Sequence, residues 1–208
     1  MGKVLYMRKG ETHTKPGSRL PSGYIQLEYI QSAGLQYIDT GFVPNQDTRV
    51  IAEFESLIAT GGFPVFGSRQ SGSSRTYTFG TTGVNNCWLS GYNNGSVNSG
   101  KKGDTARHIV DKNKAVCYLD GVAIATSTYA NFTSPSALWI FRFYSGDGDN
   151  EAYGELKMYA CKVYDNGNLV RDFVPCKNAS GAVGLYDLVG KQFYGNAGTG
   201  TFTAGEVA

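Results

Sequence analysis

The stretch Arg107 to Ser127, RHIVDKNKAVCYLDGVAIATS, decides the fold class of this 208-residue chain. It reads as two short strands joined by a tight turn at Asp120-Gly121. Val116 and Tyr118 alternate with Cys117 and Leu119 before the turn, and Val122 and Ile124 with Ala123 and Ala125 after it. Such alternation puts successive side chains on opposite faces of a strand. Asp-Gly suits a type I′ turn, in which both central residues need positive φ. A hairpin of this kind predicts an antiparallel sheet.

Strand signals of the same type run outward from it on both sides. Toward the N-terminus they are Tyr24–Ile30, Gln36–Phe42, Arg49–Leu57, Pro64–Gly67, Thr76–Gly80 and Cys87–Leu89. Arg49–Leu57 sets Val50, Ala52 and Phe54 against Arg49, Ile51, Glu53 and Glu55, which predicts one buried and one mixed face. Toward the C-terminus, Ala137–Phe143 is largely apolar and predicts a central strand. Gly154–Tyr164 sets Leu156, Met158 and Ala160 against Lys157, Tyr159 and Cys161. Asp165–Asn168 predicts a turn into Leu169–Val174, with Val183–Leu188 and Gln192–Tyr194 closing the chain. Strands near ten-residue spacing, separated by Gly, Asn and Asp, predict an all-β, two-sheet antiparallel β-sandwich over residues 21–208.

Composition agrees. Twenty-eight glycines and fourteen tyrosines, without long helix-forming runs, belong to a turn-rich β protein. No stretch approaches the roughly 20 apolar residues of a membrane span, so membrane insertion is not expected. The N-terminal apolar run is too short for a secretory signal. Cys87, Cys117, Cys161 and Cys176 form no Cys-x-x-Cys pair, and buried free thiols are expected rather than a zinc site.

Charge is unevenly placed. Residues 1–20 carry five basic groups against one acidic (+4), and the remainder fourteen against sixteen (−2). A basic arm on a near-neutral body predicts a docking segment, centred on Val4, Leu5, Tyr6, Met7, Arg8 and Lys9. It does not predict a nucleic-acid partner, which would call for a basic face throughout. The short run Val4–Met7 suits strand addition to a neighbouring sheet edge.

The catalytic signals are weak, and no enzyme is expected. Glycoside hydrolysis needs a carboxylate pair at fixed separation. Glu53 and Glu55 share one strand face, but Leu57 stands where a third carboxylate would be. His13 and His108 have no neighbouring nucleophile motif. There is no phosphate-binding glycine loop. Sugar binding without cleavage fits better. Thr82–Gly100 mixes Trp88 and Tyr92 with Asn85, Asn86, Asn93 and Asn94, a mix that suits a sugar site on a loop. Aromatic faces pack on sugar C–H surfaces, and amides both donate to and accept from hydroxyls. The residues are equally those of a core tryptophan and turn-forming asparagines. Asp147, Asp149 and Glu151 form a loop that could take Ca²⁺, the one cofactor the sequence suggests; otherwise none is expected.

Two long segments carry a resemblance. LPSGYIQLEYIQSAGLQYIDTGFVPNQDTRV (Leu20–Val50) and NLVRDFVPCKNASGAVGLYDLVGKQFYGNAGTGTF (Asn168–Phe202) resemble the laminin-G-like, concanavalin-A-like domains of bacteriophages and prophages of gut bacteria. The hairpin sequence around Tyr118-Leu119-Asp120-Gly121 resembles theirs as well. KVLYMRKGETHTKP (Lys3–Pro16) resembles the opening of other phage virion-associated proteins. The resemblance implies a jelly roll with an extended N-terminal arm. It implies a virion surface protein, made in the bacterial host cytoplasm and bound to capsid or tail proteins through residues 1–20. Capsid decoration or a fibre component, with weak adhesion to surface glycans, is the expected role, and self-association is a further expectation. A tail receptor-binding protein with a specific glycan site is the alternative, and a glycan hydrolase the more distant one. Fold does not by itself imply sugar binding.

Overall fold

A computed structural model describes residues 19–69, 74–145 and 153–208. These form eighteen strands and no α-helix. The first eight are β1 Ile25–Gln26, β2 Ile30–Ala33, β3 Ile38–Asp39, β4 Thr48–Ser56, β5 Pro64–Arg69, β6 Thr76–Thr81, β7 Cys87–Asn93 and β8 Gly95–Lys102. The next five are β9 Arg107–Asn113, β10 Val116–Leu119, β11 Val122–Thr126, β12 Trp139–Ile140 and β13 Phe143–Ser145. The last are β14 Glu155–Asp165, β15 Asn168–Lys177, β16 Val183–Asp187, β17 Gln192–Tyr194 and β18 Thr203–Ala204.

Two sheets share one core, as expected of a sandwich. The eleven-stranded sheet runs β11-β10-β9-β4-β14-β15-β16-β17, with β1, β2 and β18 joined to it. The seven-stranded sheet runs β3-β12-β5-β6-β7-β8, with β13 also on β5. Among the described pairings, only β13 on β5 is parallel.

The Asp120-Gly121 hairpin forms as read. Leu119 faces Val122, and the turn residues sit at φ +50° and +77°. A β-bulge between Cys117 and Tyr118 leaves Ala125 buried and Ile124 half-buried. β4 also keeps the expected alternation: Val50, Ala52 and Phe54 are buried, with Arg49, Ile51, Glu53 and Glu55 on the outer face.

Four local expectations are corrected. Tyr24–Ile30 is not one strand. β14 and β15 part beyond Cys161↔Phe173; β1 then pairs with β15 and β2 with β14, so residues 25–33 fill the fork. Ala137–Phe143 is not a continuous central strand. Phe141 takes φ +72° and the chain reverses, so β12 meets β5 antiparallel and β13 meets it parallel. β14 changes phase at a bulge between Met158 and Ala160. An extra residue flips every later side chain to the other face. Cys161 is therefore buried and Ala160 is half-buried, the reverse of the simple alternation. Finally, Thr82–Gly100 is mostly β7 and β8 rather than a loop.

The core is aromatic. Trp88 stacks on Phe79 at 5.5 Å and 11°, with Phe54 and Phe63 edge-on at 5.8 and 5.9 Å. Rings from both sheets thus meet in offset and T-shaped pairs, the arrangements aromatic quadrupoles favour. All four cysteines are buried and none is paired with another. Burial raises the Cys161 and Cys176 thiols to about 12, so both stay protonated near neutral pH.

Candidate functional site

β7 and β8 form a hairpin whose turn is Asn93-Asn94. Tyr92 faces Gly95 across it, and Asn93 takes φ +50°. Asparagine tolerates that left-handed conformation better than most residues. The turn lies beside the chain that leaves β11. Between them is an open cleft of about 410 Å³. Tyr92, Asn93, Asn94, Gly95, Ser96 and Val97 line one side, and Thr126, Ser127, Thr128 and Ala130 the other. No lining side chain carries a formal charge near neutral pH.

The sequence candidates divide between three places. Tyr92, Asn93 and Asn94 come together at the cleft. Asn85 and Asn86 lie beyond the opposite end of β7, six residue steps or roughly 20 Å away. Asn86 is a structural residue there: its Oδ1 accepts the Gly61 N–H at 2.6 Å and its carbonyl accepts the Gly103 N–H at 2.7 Å. Trp88 is 1% exposed within the core cluster, so the stacking role expected of it is corrected. A ring enclosed by Phe54, Phe63 and Phe79 has no face left for a sugar.

Tyr92 is also buried, at 2% exposure, and it does not offer an open ring face. Its ring meets Phe132 edge-on at 5.0 Å. Its hydroxyl donates toward the Gln46 carbonyl at 3.1 Å, with the Ala130 carbonyl at 3.5 Å as alternative acceptor. Burial pushes its pKa up to about 12. Tyr92 therefore joins the two walls of the cleft.

Beneath Tyr92 lies a group that the sequence reading passed over. Lys112 is fully buried between the sheets. Its ammonium donates to Ser90 Oγ at 2.6 Å and sits over the Tyr77 and Tyr92 rings at 4.8 and 5.8 Å. No carboxylate of the described residues pairs with it. Burial lowers its pKa from 10.5 to about 8. Lys112 alternates with Asp111 and Asn113, so only the β4 register (Val50↔Lys112) reveals that it points inward.

The remaining titratable candidates are held by partners. Glu55 accepts from Lys157 Nζ at 2.7 Å and from the Tyr159 hydroxyl at 2.8 Å, and these bonds hold its carboxyl below the usual range. An ionised Glu55 is a poor proton donor. Glu53 Oε1 accepts from Arg107 Nε at 2.8 Å. His108 lies between two carboxylates, with Nδ1 2.7 Å from Asp120 and Nε2 2.8 Å from Asp104. Burial works to lower its pKa, but the two carboxylates outweigh it and the net shift is upward.

Val4–Lys9 of the arm and the calcium candidates Asp147, Asp149 and Glu151 lie outside the described residues. Among the described residues no cluster of three or more His, Cys, Asp or Glu could hold a metal ion. No described helix is long and apolar enough to cross a membrane. The chain matches no protein-family model and no curated protein.

The signal for the second cleft wall was present in the sequence as Thr126-Ser127-Thr128, a hydroxyl run after a strand. What the sequence lacked was any pointer that this run folds against Asn93-Asn94.

Proposed function

We propose that this chain is a non-enzymatic surface protein of a bacteriophage virion, a capsid decoration protein or fibre component. Residues 1–20 anchor it, and a laminin-G-like jelly roll faces outward for weak glycan adhesion. The observation that carries the adhesive part is the cleft at the β7–β8 turn, lined by hydroxyls and amides and free of charge. The two-sheet architecture is compatible with the jelly roll that Leu20–Val50 and Asn168–Phe202 resemble. The basic arm, with its strand-like Val4–Met7, supports docking through strand addition and basic contacts.

Weak single sites suit this role. Many copies on one particle convert a low affinity into retention on a glycan-rich surface, because each later contact is intramolecular. Self-association belongs to the same reading, since exposed sheet edges must be covered.

The test is the position of the chain on purified particles by cryo-electron microscopy, full length against a form lacking residues 1–20. Density on the head that vanishes with the deletion supports the reading. Density at the tail tip that survives the deletion overturns it in favour of a tail receptor-binding protein.

A further inference from the structure

We infer that the cleft takes one neutral saccharide residue, and that Tyr92 is the strut that sets its width rather than a stacking platform. This rests on the glycan-adhesion reading above.

The first argument is the chemistry of the walls. The Asn93 amide and the hydroxyls of Ser96, Thr126, Ser127 and Thr128 make no side-chain hydrogen bond to the described residues. Asn94 is engaged through one atom, its Oδ1 accepting the Arg75 N–H at 3.3 Å. Amides and hydroxyls each donate and accept, the mixed pattern that a sugar hydroxyl needs. A carboxylate or phosphate asks instead for a cation or a charge-assisted donor. None lies in the lining, and Arg75 stands outside it, so an acidic sugar would lose hydration without compensation. At about 410 Å³ the cleft is near the small end of ligand sites, room for one ring rather than a chain.

The second argument is the position of Tyr92. Its backbone leads directly into Asn93-Asn94, while its hydroxyl donates toward the Gln46 carbonyl, with the Ala130 carbonyl the longer alternative. Gln46 in turn exchanges two hydrogen bonds with Phe132, just beyond Ala130. Phe132, against its ring, follows the same segment. The side chain therefore holds the hairpin turn and residues 126–130 at one spacing. The hydroxyl governs that spacing, while the ring belongs to the core.

The experiment is an amide NMR titration of the full chain with methyl glycosides of neutral hexoses and N-acetylhexosamines, and with sialic acid as the acidic probe. Neutral glycosides should shift Asn93, Asn94, Ser96 and Thr126–Thr128, and sialic acid should not. Tyr92→Phe should weaken neutral binding about three- to tenfold, the worth of one hydrogen bond, and should shift Thr128 and Asn93 before any sugar is added. Gly121→Ala, a destabilising change in the β10–β11 turn, should leave the affinity unchanged. A loss common to both variants would mark a stability effect and overturn the strut, as would unchanged binding by Tyr92→Phe. Shifts by sialic acid alone overturn the neutral assignment and leave glycan adhesion standing. Shifts by neutral sugars at other residues overturn the site and leave adhesion standing. If no sugar binds anywhere, both this inference and glycan adhesion fall.

Discussion

Replacing Lys112 with Met should change the stability of the protein by an amount that depends on pH in a defined sense. Lys112 is enclosed between the sheets with Ser90 Oγ and two tyrosine faces as its polar surroundings. Its folded pKa of about 8 lies below the ordinary 10.5. The native state therefore releases this proton earlier than the unfolded chain does. Below about pH 8 both states hold the proton and the full burial penalty is present. As pH rises from 8 toward 10.5, the unfolded state binds more protons, so stability rises. At 1.36 kcal/mol per unit the whole effect is about 3 kcal/mol, and most of it is recovered between pH 7 and 10. Methionine matches the length of the stem without a charge, but loses the Ser90 bond and the cation–π contacts, each worth about 1 kcal/mol. Urea unfolding of both proteins, followed by tryptophan fluorescence, should show the stability of the variant relative to the parent falling by about 2 to 3 kcal/mol from pH 7 to pH 10. Other titrating groups cancel in the difference. A difference that stays flat with pH would refute the argument, since it would mean that Ser90 and the tyrosine rings solvate the ammonium as well as water does.

Three further outcomes follow from the same geometry. Trp88→Ala should lower the unfolding free energy by about 3–5 kcal/mol in urea; a loss below about 1 kcal/mol would mean that the ring is not packed as described. Gly121→Ala, at φ +77° with nothing within 4 Å of a new Cβ, should cost about 1–2 kcal/mol from backbone strain alone, measured as a shift in the urea midpoint. His108 should titrate above 6.5 by NMR, and Asp120→Asn should move that titration down. Because the folded pKa is raised, the clamp's contribution is complete below about 6.5 and fades as pH climbs through the folded value. The stability gap between the protein and His108→Gln should therefore narrow with rising pH, and a gap that widens would contradict the two-carboxylate clamp.

The candidate site was legible only in part. Asn93-Asn94-Gly95 announces a turn, and Thr126-Ser127-Thr128 announces a polar segment, but they lie more than thirty residues apart in the chain. Their meeting depends on how the two sheet edges stack. Nearness in sequence alone groups Trp88 and Tyr92 with the asparagines. Period-two alternation does not say which face of β7 is buried when Cys87, Trp88, Ser90 and Tyr92 are all buried along it.

Local physics made the rest readable. Asp120-Gly121 can adopt two successive positive φ angles, so the hairpin is written in two residues. Val50, Ala52 and Phe54 alternate with charged neighbours, and burial follows the apolar set. Those features depend on residues a few positions apart, and the sequence by itself determined them. Lys112 in the core, the inversion of β14 after Met158 and the fork filled by residues 25–33 depend on cross-strand register between distant segments. Each was decided only when strands far apart in the chain paired. Side chains that could face either way were then assigned to core, surface or cleft by the neighbours they met.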